Sequence, residues 1–161
     1  MTAKKQVPRK THHKRSRSKP HKKPVKCPYC SAQALLREAD GFFETTYKNV
    51  THLWVCANYP SCDSYVIAHN DPRKNNIPLG PLANGELRKK RAKAHSTFDM
   101  LWKRGVFSSR TQAYAWLSEL FGAPYKQIHI GEMGGVMCDL IIQESSKVLE
   151  RYTKPRSIRL K

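Results

Sequence analysis

The chain has 161 residues, with 30 Lys and Arg against 12 Asp and Glu, a formal net charge of +18 and an isoelectric point near 10.0. That length allows one modest domain with appendages, and no apolar run approaches the ~18 residues of a membrane-spanning helix. The charge predicts a polyanionic partner, with nucleic acid ahead of a membrane surface because no lipidation motif accompanies it; nothing indicates a small-molecule substrate.

Residues 1–26 carry eleven Lys or Arg, three His and no acidic residue. Such a segment cannot bury a core, so we expect a disordered basic arm whose Lys14, Arg15, Arg17, Lys22 and Lys23 neutralise phosphates. The start, Met1-Thr-Ala-Lys-Lys, has no apolar core. We expect from this a soluble protein of a reducing cytoplasm, associated with the nucleoid or the ribosome.

Residues 27–70 contain four of the five cysteines in two pairs, Cys27-Pro-Tyr-Cys30 and Cys56-Ala-Asn-Tyr-Pro-Ser-Cys62. A two-residue gap lets both thiolates of a pair face one ion, and the second pair completes a tetrahedral four-thiolate set for one structural Zn2+. The wider second gap can close because Asn and Pro favour turns. His69 stands by as a substitute for Cys62, and two disulfides or plain buried thiols are the alternatives to a metal. The strand signals are Ala34-Leu35-Leu36, an extended Phe42–Tyr47 after the Asp40-Gly41 turn, Val50–Val55, and Ser64–Ile67. A sheet this small has little core. Among its aromatics, Trp54 and Tyr59 are therefore candidates to stack on unpaired bases.

A turn-rich connector occupies residues 71–84, and a helical region occupies 85–151. Asn84 reads as the N-cap of a helix that ends at Gly105; Leu87, Ala94, Phe98, Leu101 and Trp102 share its apolar face. Arg88, Lys89, Arg91 and Lys93 supply further phosphate contacts, although Arg91 falls within the apolar stripe. It is either paired there with an acid or aimed into a seam with the ribbon. His95 and Asp99 are four residues apart and can hydrogen-bond, an arrangement that fastens helices more often than it orients a catalytic base. Ser109-Arg-Thr-Gln112 is a capping box for a helix that ends at Gly122, and the last helix spans about 132–151. Gly131, Gly134 and Gly135 lack Walker-type spacing and read as a flexible helix start. Cys138 is a core thiol without a catalytic set. Residues 152–161 form a basic tail.

The Cys-x-Asn-Tyr-Pro-x-Cys half of the cysteine pattern resembles the C-terminal zinc ribbons of type IA DNA topoisomerases, a resemblance that implies binding of single-stranded DNA. It covers only the ribbon. From Cys27 to about Cys138, the order Cys-Pro-x-Cys, Trp-Val-Cys, Tyr-Val-x-x-His, Pro-x-Gly-x-Leu-Ala-Asn and Ala-His-x-x-Phe-Asp-x-Leu-Trp is similar to an uncharacterised zinc-finger-containing domain family of bacteria and their phages. The further Ser-Arg-x-x-Ala-Tyr-x-Trp-Leu and His-Ile-Gly segments extend that likeness, which implies a fold and a metal rather than an activity.

These readings converge on an α+β protein, with a small antiparallel four-cysteine zinc ribbon packed with about three α-helices and preceded by the arm. The expected function is binding of nucleic acid, DNA before RNA and single strands before duplex, without catalysis. A ribosomal RNA site, or a protein of the transcription apparatus, is the alternative partner.

Overall fold

The computed structural model describes residues 24–43 and 50–153. Lys14, Arg15, Arg17, Lys22 and Lys23 of the predicted arm, and the tail from residue 154, lie outside the described residues. No helix among the described residues is long and apolar enough to cross a membrane.

Strands β1 (Ala34–Glu38), β2 (His52–Cys56) and β3 (Tyr65–Ile67) form one antiparallel sheet in the order β1-β2-β3. The register sets Ala34 opposite Cys56, and Val55 opposite Tyr65. Alternate residues face opposite ways, so Leu53 and Val55 are buried on one side while Cys56 and half-buried Trp54 belong to the other. The predicted extended segment at Phe42–Tyr47 is corrected in its described part. The Phe42 N–H donates to the Ala39 carbonyl at 3.2 Å, closing a turn at Gly41, whose φ of 71° suits a residue without a Cβ. Phe42 and Phe43 thus leave the sheet and pack against Tyr65 with ring centroids 5.3 and 5.7 Å away; residues 44–47 lie outside the described residues.

The connector is more ordered than its composition suggests. It runs back beside β3 through the bridges Ala68–Pro78 and Tyr65–Ala83, burying Leu82 and Ala83. Asn84 then caps α1 (Gly85–Lys103), its side chain accepting from the Leu87 N–H at 2.9 Å. Ser109 caps α2 (Arg110–Phe121) by accepting from Gln112 N–H, while Gln112 Oε1 accepts from Ser108 N–H rather than from the cap's own amide. The last helix, α3 (Gly135–Thr153), begins later than expected because Ile130–Glu132 forms a separate 3-10 turn.

Two cores result. Ala94, Phe98 and Leu101 of α1 pack with Ala113, Tyr114 and Leu117 of α2 and with Cys138 and Ile141 of α3, all buried. Phe98 meets Tyr114 edge to face at 4.8 Å. Cys138 packs as expected, and burial pushes its thiol up. The ribbon keeps its own small cluster of Cys27, Ala34, Cys56, Val66 and Leu82.

A polar seam joins the two. Asp63, the residue after Cys62, accepts from the Gly85 N–H at 2.7 Å and from Arg88 Nη2 at 3.3 Å. Arg88 also donates to the carbonyl oxygens of Asp63 and Ala83, and its guanidinium lies 3.7 Å over the Tyr65 ring. The Asp63 carboxylate therefore meets both a cation and the positive end of α1. Arg91 takes the seam position. Buried, it donates to Met133 O at 2.9 Å and to Pro81 O at 3.3 Å, which corrects its assignment as a phosphate contact; burial also lowers its pKa.

Replacing Phe98 by Ala should cost about 3–5 kcal/mol in urea unfolding, because the hole lies where three helices meet; a loss below about 1 kcal/mol would contradict this core. A Cβ at Gly85 would stand 2.6 Å from Asp63 Oδ2. Gly85→Ala should therefore displace that carboxylate and lower stability by about 1 kcal/mol, the worth of a charge-assisted contact that is largely exposed; unchanged stability with the seam intact would argue against the latch.

Candidate metal centre

Each knuckle is shaped by its own backbone. In the first, Cys27 N–H donates to Ala32 O at 2.8 Å and Ser31 N–H returns to Cys27 O at 3.0 Å, with Ser31 in the left-handed region at φ 61°. The second loop is longer, but Tyr59 N–H donates to Cys56 O and Cys62 N–H to Asn58 O, each at 3.0 Å. Two nested turns thus bring Cys56 and Cys62 to the same point, with a cis Tyr59–Pro60 peptide between them.

The sulfurs of Cys27, Cys30, Cys56 and Cys62 all lie within 4.8 Å of one another. Cys27 Sγ is 3.6 Å from Cys62 Sγ, and Cys30 Sγ is 3.3 Å from Cys56 Sγ. A disulfide needs about 2.05 Å, and all five cysteines are free thiols. A tetrahedral ion with metal–sulfur distances near 2.3 Å requires sulfurs about 3.8 Å apart, close to the spacing present. The four cysteines therefore fit one structural Zn2+. His69 does not belong to the cluster; it lines a separate cavity beside His95 and His129.

The surroundings divide the four thiols. Cys27 and Cys56 are buried, Cys62 is half-buried and Cys30 is exposed. Ser64, fully buried, places its hydroxyl 2.9 Å from Cys27 Sγ and 3.2 Å from Cys62 Sγ. Sequence reasoning missed this residue, whose only signal is its place two positions after Cys62. Asn58 Nδ2 donates towards Cys30 Sγ at 3.5 Å. Burial works against ionisation of Cys27, but hydrogen bonds from Ser64, the Tyr29 and Cys30 amides and Cys62 outweigh it and bring the thiol down to about 6. Burial, reinforced by the neighbouring thiols, pushes Cys56 up to about 12.

The remaining sequence candidates separate. Lys89 and Lys93 are exposed on α1, whereas Arg88 and Arg91 are held in the seam. Trp54 is half-buried: it rests against the ribbon core, with its indole N–H donating to Asn76 O at 2.7 Å. Tyr59 remains 37% exposed on the second knuckle, its ring 5.2 Å from that of Phe42. Asp99 pairs with Lys103 at 3.1 Å rather than bonding His95, and burial lowers the His95 pKa.

Fold and site together define a small α+β domain stapled by a four-thiolate zinc ribbon. The family model of a zinc-finger-containing domain, of uncharacterised function, matches residues 23–148, and the chain belongs to that family. Neither a curated protein nor a solved structure matches it.

Cys27→Ser or Cys56→Ser should abolish bound zinc and unfold the ribbon, given the ~10–16 kcal/mol that structural zinc contributes; metal analysis with near-ultraviolet circular dichroism reads both, and a folded metal-free variant would contradict the staple. Zinc takes its cysteines as thiolates and burial disfavours ionisation of Cys56, so binding must displace protons. Calorimetry in buffers of different ionisation enthalpy should show proton release on zinc binding, and affinity should weaken as pH falls.

Proposed function

We propose that the protein is a zinc-ribbon nucleic-acid-binding module, with unpaired DNA favoured over structured RNA. The observation that carries this reading is the net charge of +18, of which residues 1–23 and 154–161 supply 14 Lys or Arg with no acidic residue, a concentration of one sign that suits a polyanionic partner. Exposed Lys89 and Lys93 and the cations of residues 1–26 neutralise phosphates, and Tyr59 on the metal knuckle offers a stacking surface. Tyr29, 45% exposed on the opposite knuckle, adds a second ring. The resemblance of the second knuckle to topoisomerase ribbons supports single strands as the ligand. Association with the nucleoid, or with ribosomal RNA, follows from this reading.

The module binds rather than catalyses. Four thiolates fill a tetrahedral ion and leave no position for an activated water, and Asp99 is engaged by Lys103 instead of orienting His95.

Affinity for a single-stranded oligonucleotide should fall on the order of a thousandfold between about 50 and about 200 mM salt. Removing residues 1–26 should flatten that dependence, and Tyr59→Ala should cost about 1–3 kcal/mol of binding. Salt-insensitive binding, or tight binding to one protein with only weak DNA affinity, would reject the reading.

A further inference from the structure

A basic groove lies between the connector after β3 and the helical half, apart from the four cysteines and from the exposed lysines of α1. Two cavities, of about 510 and 420 Å3, meet at Arg110, Tyr114 and His129. Lys74 lines the first and Lys126 the second, while His69 and His95 add titratable nitrogen to the first. Glu132 is the one carboxylate among the described lining residues. The ion pairs of the described residues fall on Arg73, Arg88, Lys90, Lys103 and Lys147, so Lys74, Arg110 and Lys126 keep their charge uncompensated by any of them. Asp99 acts on Arg110 only at a distance, since its carboxylate bonds Lys103.

The aromatic residues are placed to match. The Arg110 guanidinium stands 5.3 Å over the Tyr114 ring, which holds the cation in place on an apolar floor. Tyr114 in turn meets Tyr125 edge to face at 5.7 Å, and Tyr125 is 50% exposed at the second cavity. Arg110 also opens α2, where the helix dipole adds the same sign. An acidic peptide would use the cations but not the open ring; a nucleic-acid strand uses both, a phosphate at the cation and a base on the ring.

We infer that this groove is the seat of a single-stranded nucleic acid between the connector and the helical half: phosphodiesters lie along Lys74, Arg110 and Lys126, and an unpaired base stacks on Tyr125. The inference rests on the nucleic-acid reading above and gives it a location away from the metal cluster.

The test uses the full zinc-loaded chain with a labelled oligothymidylate of about 16 nucleotides. Lys74→Ala/Lys126→Ala removes one exposed cation from each cavity, and Lys147→Ala/Arg151→Ala on α3 is the charge-matched control outside the groove. Zinc content and thermal unfolding check that each variant is folded. The groove variant should lower the slope of log affinity against log salt by roughly two, one for each phosphate no longer neutralised, while the control should change it little. Tyr125→Ala should weaken binding about fivefold to a hundredfold, and strands carrying 5-iodouracil should photo-crosslink to Tyr125. Equal losses in both double variants, no loss in the groove variant, or crosslinks confined to Tyr29 and Tyr59 would overturn the groove while leaving nucleic-acid binding in place. A parent chain that does not bind the strand would overturn both.

Discussion

Four sulfur atoms within 4.8 Å of one another cannot all be thiolates unless a cation stands among them, because like charges at that range repel by several kcal/mol in a partly buried site. The ribbon depends on this constraint. The cluster on its metal side is Cys27, Ala34, Cys56, Val66 and Leu82, so two of its five buried members are themselves ligands, and the opposite sheet face buries only Leu53 and Val55 of β2. Metal binding and ribbon folding are in this sense one equilibrium. Ser64 adjusts it by bonding two thiols that must lose their protons to the ion.

The same constraint reaches the helices through one residue. Asp63 follows directly on Cys62, and its carboxylate closes on the first amide of α1 and on Arg88. Fixing Cys62 therefore fixes an anion at a helix N-terminus, where the helix dipole favours it. Arg91 reinforces the junction from below by satisfying two carbonyl oxygens that face the seam. The helical core, with Phe98 buried among three helices, draws on no metal ligand. The metal's link to it runs through the seam at Asp63.

Local signals in the sequence were legible wherever the physics was local. Asn84, Ser109 and Gly122 announce helix ends because capping involves only the next few amides, and the cysteine spacing announces the metal because knuckle geometry is set within each loop. Tertiary effects were not legible. Phe42 and Phe43 have strand-forming side chains, yet the turn at Gly41 releases them to pack on Tyr65. Trp54 looked like an open platform until the connector folded back and supplied the Asn76 carbonyl. Arg91 broke the helical pattern visibly, but its partners lie on Pro81 and Met133, remote in sequence. The basic groove draws on positions from 69 to 132, and no window of the chain shows them together.

Among the described residues 15 Lys and Arg stand against 11 Asp and Glu, so the excess of positive charge on this frame is local rather than general. Zinc holds the ribbon, Asp63 holds the ribbon to α1, Arg91 ties α1 to the connector and to the turn before α3, and cations are left facing outward on α1 and in the groove beside α2. The metal site is the part on which the others rest. Zinc K-edge X-ray absorption of the purified chain measures it most directly: four sulfur scatterers near 2.3 Å are expected. A first shell containing nitrogen or oxygen, or a folded chain that carries no zinc, would contradict it.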